Sequence, residues 1–415
     1  MRALVFLSLL PVFLVTPVSC AVSTETGRDT AGARSVVLVL VDELAWEEVR
    51  ETPSLEEAFS EGAVANLSTA QGAEPEDPRM NYALLGAGSR TNTSLLPENL
   101  PQKAPELAEA FEGPAASIQP GALGEALSEA GVTVAAVGER ARLAVMDLEG
   151  RVPRSYKSSE PTASSRAALE AGAEFVAVEA GSPEEAGRIA TAAQGAGAVV
   201  AVASPNVPAG SANLTPFVVN TPRQGGLLYS PTTRTKGLIS SVDVAPTLLG
   251  QLGIEVPPEM QGRAAGIRPG AAETAIRLDE RLSFVAEERF LVWLLVGAAM
   301  AVGASLAILW KRKAGAVYAL LVLAALPGGA LVAAAAPISN AFAVALLTLF
   351  LGAALAGMIW RNVGSGAVRI SGVYLAVSAL ILADTPTGGT LMKFSTLGYD
   401  PAQGTRFNGI GNEYP

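Results

Sequence analysis

The run Val36–Val41 is six apolar residues in a row, mostly β-branched, and it closes on Asp42. A short unbroken apolar run between polar stretches predicts a strand buried on both faces of a sheet. Comparable runs recur at 132–137, 174–178 and 198–203, and between them residues 121–130, 167–171 and 183–194 carry helical spacing. Such alternation predicts a mostly parallel sheet sandwiched by helices, an α/β fold. Residues 63–67, 214–220 and 226–230 read as further strands. Residues 43–61 read as helix on the sheet surface, with Pro53 and Ser54 as a candidate start and Gly62 as a stop. Residues 81–90 read as a short helix ending in glycines, and 241–253 as a helix with Ser241 or Asp243 as N-cap and Gly253 just past its end.

The pattern changes near Arg289. Segments 290–310, 316–337, 341–360 and 370–383 are almost wholly apolar. The first three reach the roughly 18 residues a spanning helix needs; the fourth does so only if extended toward Met392. An α-helical transmembrane domain of about four helices is therefore expected after the α/β part. Lys311, Arg312 and Lys313 follow the first segment, and Arg361 and Arg369 flank the connection before the fourth, whereas residues 336–340 carry no charge. The positive-inside rule makes the basic connections cytoplasmic and the α/β domain extracytoplasmic, in a multi-pass protein of the plasma membrane. Trp293, Trp310 and Trp360 near segment ends fit an interfacial aromatic belt.

The N-terminus agrees with that topology. Arg2 precedes an apolar stretch, and Ser19, Cys20 and Ala21 supply small residues for cleavage, which reads as a secretory signal over 1–21. An acylated Cys20 or an uncleaved anchor are the rival readings, and all three export the α/β domain. The expected organisation is a linker at 22–34, an exported domain at 35–267, a juxtamembrane segment at 268–289, the membrane domain at 290–392 and an extracytoplasmic tail at 393–415 that reads as cut short.

Composition narrows the chemistry. The 415 residues contain no histidine, one cysteine and a formal net charge of −10. Without imidazole, the commonest metal ligand and the usual general base are missing. A lone cysteine gives neither a disulfide framework nor a thiolate metal site within the chain. The acidic balance and the lack of a basic cluster in the α/β part speak against nucleic acid. Abundant Ala, Gly, Val and Arg with little Lys or Ile looks bacterial, a compositional association only.

One family likeness emerges from residues already quoted. The strand ending at Asp42, the run Leu127-Ser-Glu-Ala-Gly-Val-Thr-Val-Ala-Ala-Val-Gly138, and above all Gly237-Leu-Ile-Ser-Ser-Val-Asp-Val-Ala-Pro-Thr-Leu-Leu249, with residues 258–263 after it, resemble the alkaline phosphatase-like superfamily. That superfamily includes sulfatases, phosphodiesterases and cofactor-independent phosphoglycerate mutases. The resemblance covers 35–263 and implies an alkaline phosphatase-like fold, Asp and His metal ligands and a hydroxyl or modified nucleophile. It puts Asp42 at the first-strand metal position. The nucleophile position falls near Met80 or Asn81, and Ser204-Pro205-Asn206 stands where the family has an Asp-His pair.

With the other ligands replaced, Asp42 reads as the remnant of a metal site, with capping a helix or binding backbone amides as its simpler role. No cofactor is expected. The leading expectation is a membrane-tethered, catalytically degenerate phosphatase-like protein with a binding or assembly role at the cell envelope. Its expected partners are membrane lipids and an unknown envelope protein or polymer. The alternative is a metal-dependent hydrolase or transferase acting on envelope phosphate or sulfate esters through an all-oxygen site, with Glu43, Glu74, Glu76 and Asp77 joining Asp42.

Overall fold

A computed structural model describes residues 35–69, 77–90, 118–157, 159–208, 214–221, 225–310, 313–364 and 366–398. The expected signal and linker, the acidic residues Glu74 and Glu76, and the tail beyond 398 lie outside the described residues.

The described strands are β1 (Val36–Val41), β2 (Ala63–Ser68), β3 (Val134–Val137), β4 (Arg154–Tyr156), β5 (Phe175–Ala180), β6 (Val199–Ala203), β7 (Leu214–Asn220), β8 (Gly226–Tyr229), β9 (Leu238–Ser240) and β10 (Gly266–Arg268). They form one sheet in the order β10-β8-β9-β2-β7-β6-β1-β5-β3-β4. β1 pairs in parallel with both β5 and β6, while β7 and β10 run antiparallel to their neighbours. The fold is thus a mostly parallel mixed sheet with helices.

All six residues of β1 are buried, which is why its sequence does not alternate. Val36, Leu38 and Leu40 face one core, shared with α3 (Arg79–Ala87), α4 (Ala122–Glu129), α5 (Glu139–Val145) and α8 (Val244–Gln251). Val37, Val39 and Val41 face a second core, shared with α1 (Trp46–Glu51), α2 (Pro53–Glu61), α6 (Pro161–Glu170) and α7 (Pro183–Gly195). Burying each such Val or Leu contributes roughly 1.5–3 kcal/mol.

Several expectations are corrected. Residues 43–61 are two helices, broken at Thr52 because Pro53 disfavours helical backbone in the residue before it. The 241–253 helix opens with a 3-10 turn, Ser241–Asp243, capped by Ser240; Asp243 is the N-cap position of the α-helical part, but its side chain reaches back to accept from the Ser240 amide at 3.1 Å. Its end is as expected: Gly253 has φ +73°, and the Ile254 amide donates to the Leu249 carbonyl at 3.0 Å. Strands β4, β9 and β10 and helix α5 are additions that the apolar pattern does not announce.

The C-terminal region contains four long apolar helices: α9 (Ala272–Leu309), α10 (Lys313–Ala333), α11 (Ala341–Asn362) and α12 (Gly366–Asp384). Each is long and apolar enough to cross a membrane. α12 reaches 19 residues without extension toward Met392, about 28 Å at 1.5 Å per residue. Residues expected as a separate juxtamembrane segment belong largely to α9, which is unbroken for 38 residues. α10 and α11 approach closely at Gly329, where a Cβ would fall 2.5 Å from the Thr348 carbonyl oxygen and 2.8 Å from the Gly352 amide nitrogen. Small residues at such crossings let backbones meet. After α12, a 3-10 turn leads to α13 (Thr390–Phe394), so the start of the expected tail is folded.

The sheet and the apolar helices are joined through α9. Ala275 and Ile276 in its first turns are buried in the β1 core. Asn66, fully buried on β2, donates through its amide to the Ala275 carbonyl at 2.7 Å and accepts from the Trp46 indole at 2.6 Å. At the other end of the chain, Lys393 on α13 donates to the Thr235 hydroxyl at 2.6 Å.

Candidate functional site

Because β1, β3, β5 and β6 are parallel, their carboxyl ends share one edge of the sheet, where ligands sit in open α/β folds. Asp42 follows β1 there, Glu179 lies near the end of β5, Ser204 and Asn206 follow β6, and Gly138 and Arg140 follow β3. The Asn206 amide nitrogen and the Ser204 hydroxyl both donate to the Asp42 carbonyl at 3.1 Å, extending the β1–β6 register past the strands.

Three side chains meet the Asp42 carboxylate. Arg140 Nη1 lies 2.5 Å from Oδ2, while Asn206 Nδ2 and the Tyr82 hydroxyl donate to Oδ1 at 2.7 and 3.1 Å. Asn81 Nδ2 in turn donates to Asn206 Oδ1 at 2.7 Å. Among the described residues, the groups that meet the Asp42 carboxylate are side chains, not helix-end or backbone amides. Arg140 is positioned by Glu179: its amide donates to Oε2 at 3.2 Å, and its Nε lies 3.7 Å from Oε1. Gly138 makes this approach possible, since its φ is +100° and a Cβ would fall 2.6 Å from Glu179 Oε2.

The electrostatics follow from these contacts. Burial pushes the Tyr82 phenol up, and the Asp42 charge adds to it, so Tyr82 stays a donor. Burial works against the Arg140 charge, yet its contacts with Asp42 and Tyr82 outweigh it and raise the guanidinium further. The Asp42 and Arg140 side chains remain 42% and 38% exposed, so the pair is open to solvent on one side.

A divalent metal, which the family resemblance implies, does not fit this donor set. Among the described residues no group of three or more His, Cys, Asp or Glu side chains converges. Asp42 offers one carboxylate, whose outer oxygen already faces a fixed cation that would repel a metal ion. Of the other candidate ligands, the two among the described residues do not join Asp42: Asp77 is engaged by Arg79, and Glu43 is exposed. Asn206 brings its amide to Asp42, and Asn81 brings its own to Asn206 behind it.

The Asp-Val-Ala-Pro-Thr motif is structural. Asp243 is fully buried and accepts from the Thr232 hydroxyl at 2.6 Å, the Ser240 amide at 3.1 Å and the Arg263 amide at 2.9 Å. Thr247 donates to the Asp243 carbonyl and accepts from the Ala265 amide, which ties residues 263–265 against α8. Arg140 is the candidate-site residue that sequence reasoning missed; the available signal is a Gly-x-Arg directly after a strand parallel to β1.

No protein-family model and no curated protein matches the sequence. Among solved structures, the chain is similar to the crystal structure of Ps i-CgsB, with 10% identity and a TM-score of 0.37, covering 56% of this chain and 75% of that one. The same protein in complex with k-i-k-neocarrahexaose gives 10% identity and a TM-score of 0.36, covering 60% and 77%. Likeness at that level carries no argument about activity.

Proposed function

We propose that this chain is a membrane-tethered, phosphatase-like protein whose α/β domain binds a partner at the outer face of the cell envelope and does not hydrolyse it. The observation that carries the reading is the Arg140 guanidinium on the Asp42 carboxylate. Metal-assisted phosphate or sulfate chemistry needs a cation held by several oxygen or nitrogen donors to neutralise charge and ionise a nucleophile. Here a side chain of the protein itself neutralises Asp42, and amides occupy the neighbouring positions. What remains is a half-open polar surface with a guanidinium, a carboxylate and two amides, suited to hydrogen-bonding a partner.

The membrane placement rests on the four apolar helices and on where the charges fall. Lys313 begins α10, and Arg361 and Arg369 lie at the facing ends of α11 and α12, whereas the opposite end of α10 meets Arg281 of α9 through the Ala334 carbonyl, which supports an extracytoplasmic α/β domain. Tyr318, Trp360 and Arg369 cluster at the basic end, with the Arg369 guanidinium 4.0 Å from the Trp360 ring centroid, as in an interfacial belt.

The test uses full-length protein purified in detergent without chelator. Substoichiometric metal by elemental analysis and no turnover of aryl phosphate, phosphodiester or aryl sulfate are expected. Metal-dependent hydrolysis abolished by Asp42→Ala would overturn the reading.

A further inference from the structure

At the sheet-proximal end of the apolar helices, α9, the α10–α11 connection and the segment after α13 line a cleft whose enclosed part is about 20 Å³. Arg281, Phe284, Ala334, Ser339, Phe394 and Thr396 are among its lining residues. Two features there are unbalanced. Arg281 is half-buried, stacked 3.7 Å from the Phe394 ring centroid, with Nη2 donating to the Ala334 carbonyl at 2.8 Å. Among the described residues no carboxylate comes within ion-pair distance of it. Thr396 is 4% exposed, and among the described residues its buried hydroxyl oxygen has no hydrogen-bond partner.

A partly desolvated guanidinium with spare donors calls for an anion, and a buried hydroxyl without a partner is unfavourable until it is satisfied. Both groups line one cleft. Its height is also fixed: Ala334 directly follows α10, and the segment carrying Thr396 takes the Trp293 indole on its carbonyl at 3.3 Å. The cleft therefore opens where the apolar helices end, the level at which lipid headgroups lie.

We infer that this cleft binds the phosphodiester of a membrane phospholipid, with Arg281 on a phosphate oxygen and the Thr396 hydroxyl donating to the same group. The enclosed part has room for about one water-sized group, so phosphate oxygens enter and the rest of the headgroup stays outside. The inference rests on the membrane reading above.

The test reconstitutes the full chain into vesicles of equal parts phosphatidylglycerol and phosphate-free monogalactosyldiacylglycerol, then extracts it and identifies retained lipid by native mass spectrometry. Wild type is expected to retain phosphatidylglycerol in preference. Arg281→Gln should weaken retention about tenfold, and Thr396→Val, which keeps the shape, several-fold. Equal retention of both lipids by wild type, or retention unchanged in both variants, overturns the inference. So does displacement of the phospholipid by millimolar inorganic phosphate, which would make free phosphate the ligand. A chain that fails to float with the vesicles removes the membrane reading and this inference together; one that floats without lipid preference removes this inference alone.

Discussion

Arg140 and Asp42, 98 residues apart in sequence (140 − 42), meet at 2.5 Å on the carboxyl edge of the sheet. A fixed guanidinium thus takes up the negative charge that a bound metal would otherwise balance. Arg140→Gln is expected to change stability by no more than about 1 kcal/mol, because both side chains are over a third exposed and solvent screens them. Denaturant unfolding in detergent checks this. Elemental analysis of the same variant should still find substoichiometric metal, since one carboxylate and two amides remain too few donors for a tight site.

Asn66 offers a larger effect. Asn66→Ala leaves the Trp46 indole and the Ala275 carbonyl without their side-chain partner in a fully buried place. A loss of roughly 2–4 kcal/mol is expected, read as a lower melting temperature. Limited proteolysis near residues 268–272 should accelerate in parallel.

Gly329→Val tests the α10–α11 crossing. The new side chain would overlap backbone atoms of Thr348 and Gly352, which cannot rotate away. Separation of the two helices should destabilise the helical region by about 1–3 kcal/mol or more, seen as earlier thermal aggregation in micelles. The sheet domain's near-UV signal should change little before that transition.

Asp243 carries a pH signature. Burial pushes its carboxyl up, against the lowering effect of hydrogen bonds from Thr232, Arg263 and Ser240. Its folded value lies above the unfolded one of about 3.9, so ionisation costs stability. That cost is absent below the unfolded value, grows as pH rises toward the folded value and is constant above it. The stability advantage of wild type over Asp243→Asn should therefore be largest in acid and shrink as pH rises through that window. Paired denaturant curves across the acid range decide it; a difference independent of pH would contradict the burial of a titrating carboxyl.

The central strands, α3, α8 and the four apolar helices were legible because long apolar runs and glycine stops are strong local signals. The Asp42 surroundings were only half legible. Asn81 and Asn206 stand out in the sequence only through the family resemblance, but they sit 125 residues apart, and only the fold makes them hydrogen-bond partners. Helix α5, which delivers Arg140, is seven residues of Glu139-Arg-Ala-Arg-Leu-Ala-Val145 with small apolar positions, too short for a helical period to stand out. β4 is Arg154-Ser-Tyr156 on an edge, polar and brief, and β9 and β10 are equally short. The extent of α9 was obscured by charges at 277–289, which read as a boundary in sequence and are the polar turns of one continuous helix in three dimensions.

That helix has a mechanical meaning. Its first turns are pinned inside the sheet's core and its last turns are apolar throughout, over about 57 Å of unbroken backbone at 1.5 Å per residue. No proline interrupts it, and its two glycines, Gly297 and Gly303, lie within continuous helical backbone, so one rod joins the sheet to the apolar region. The edge bearing Asp42 and Arg140 accordingly keeps a set heading relative to α9.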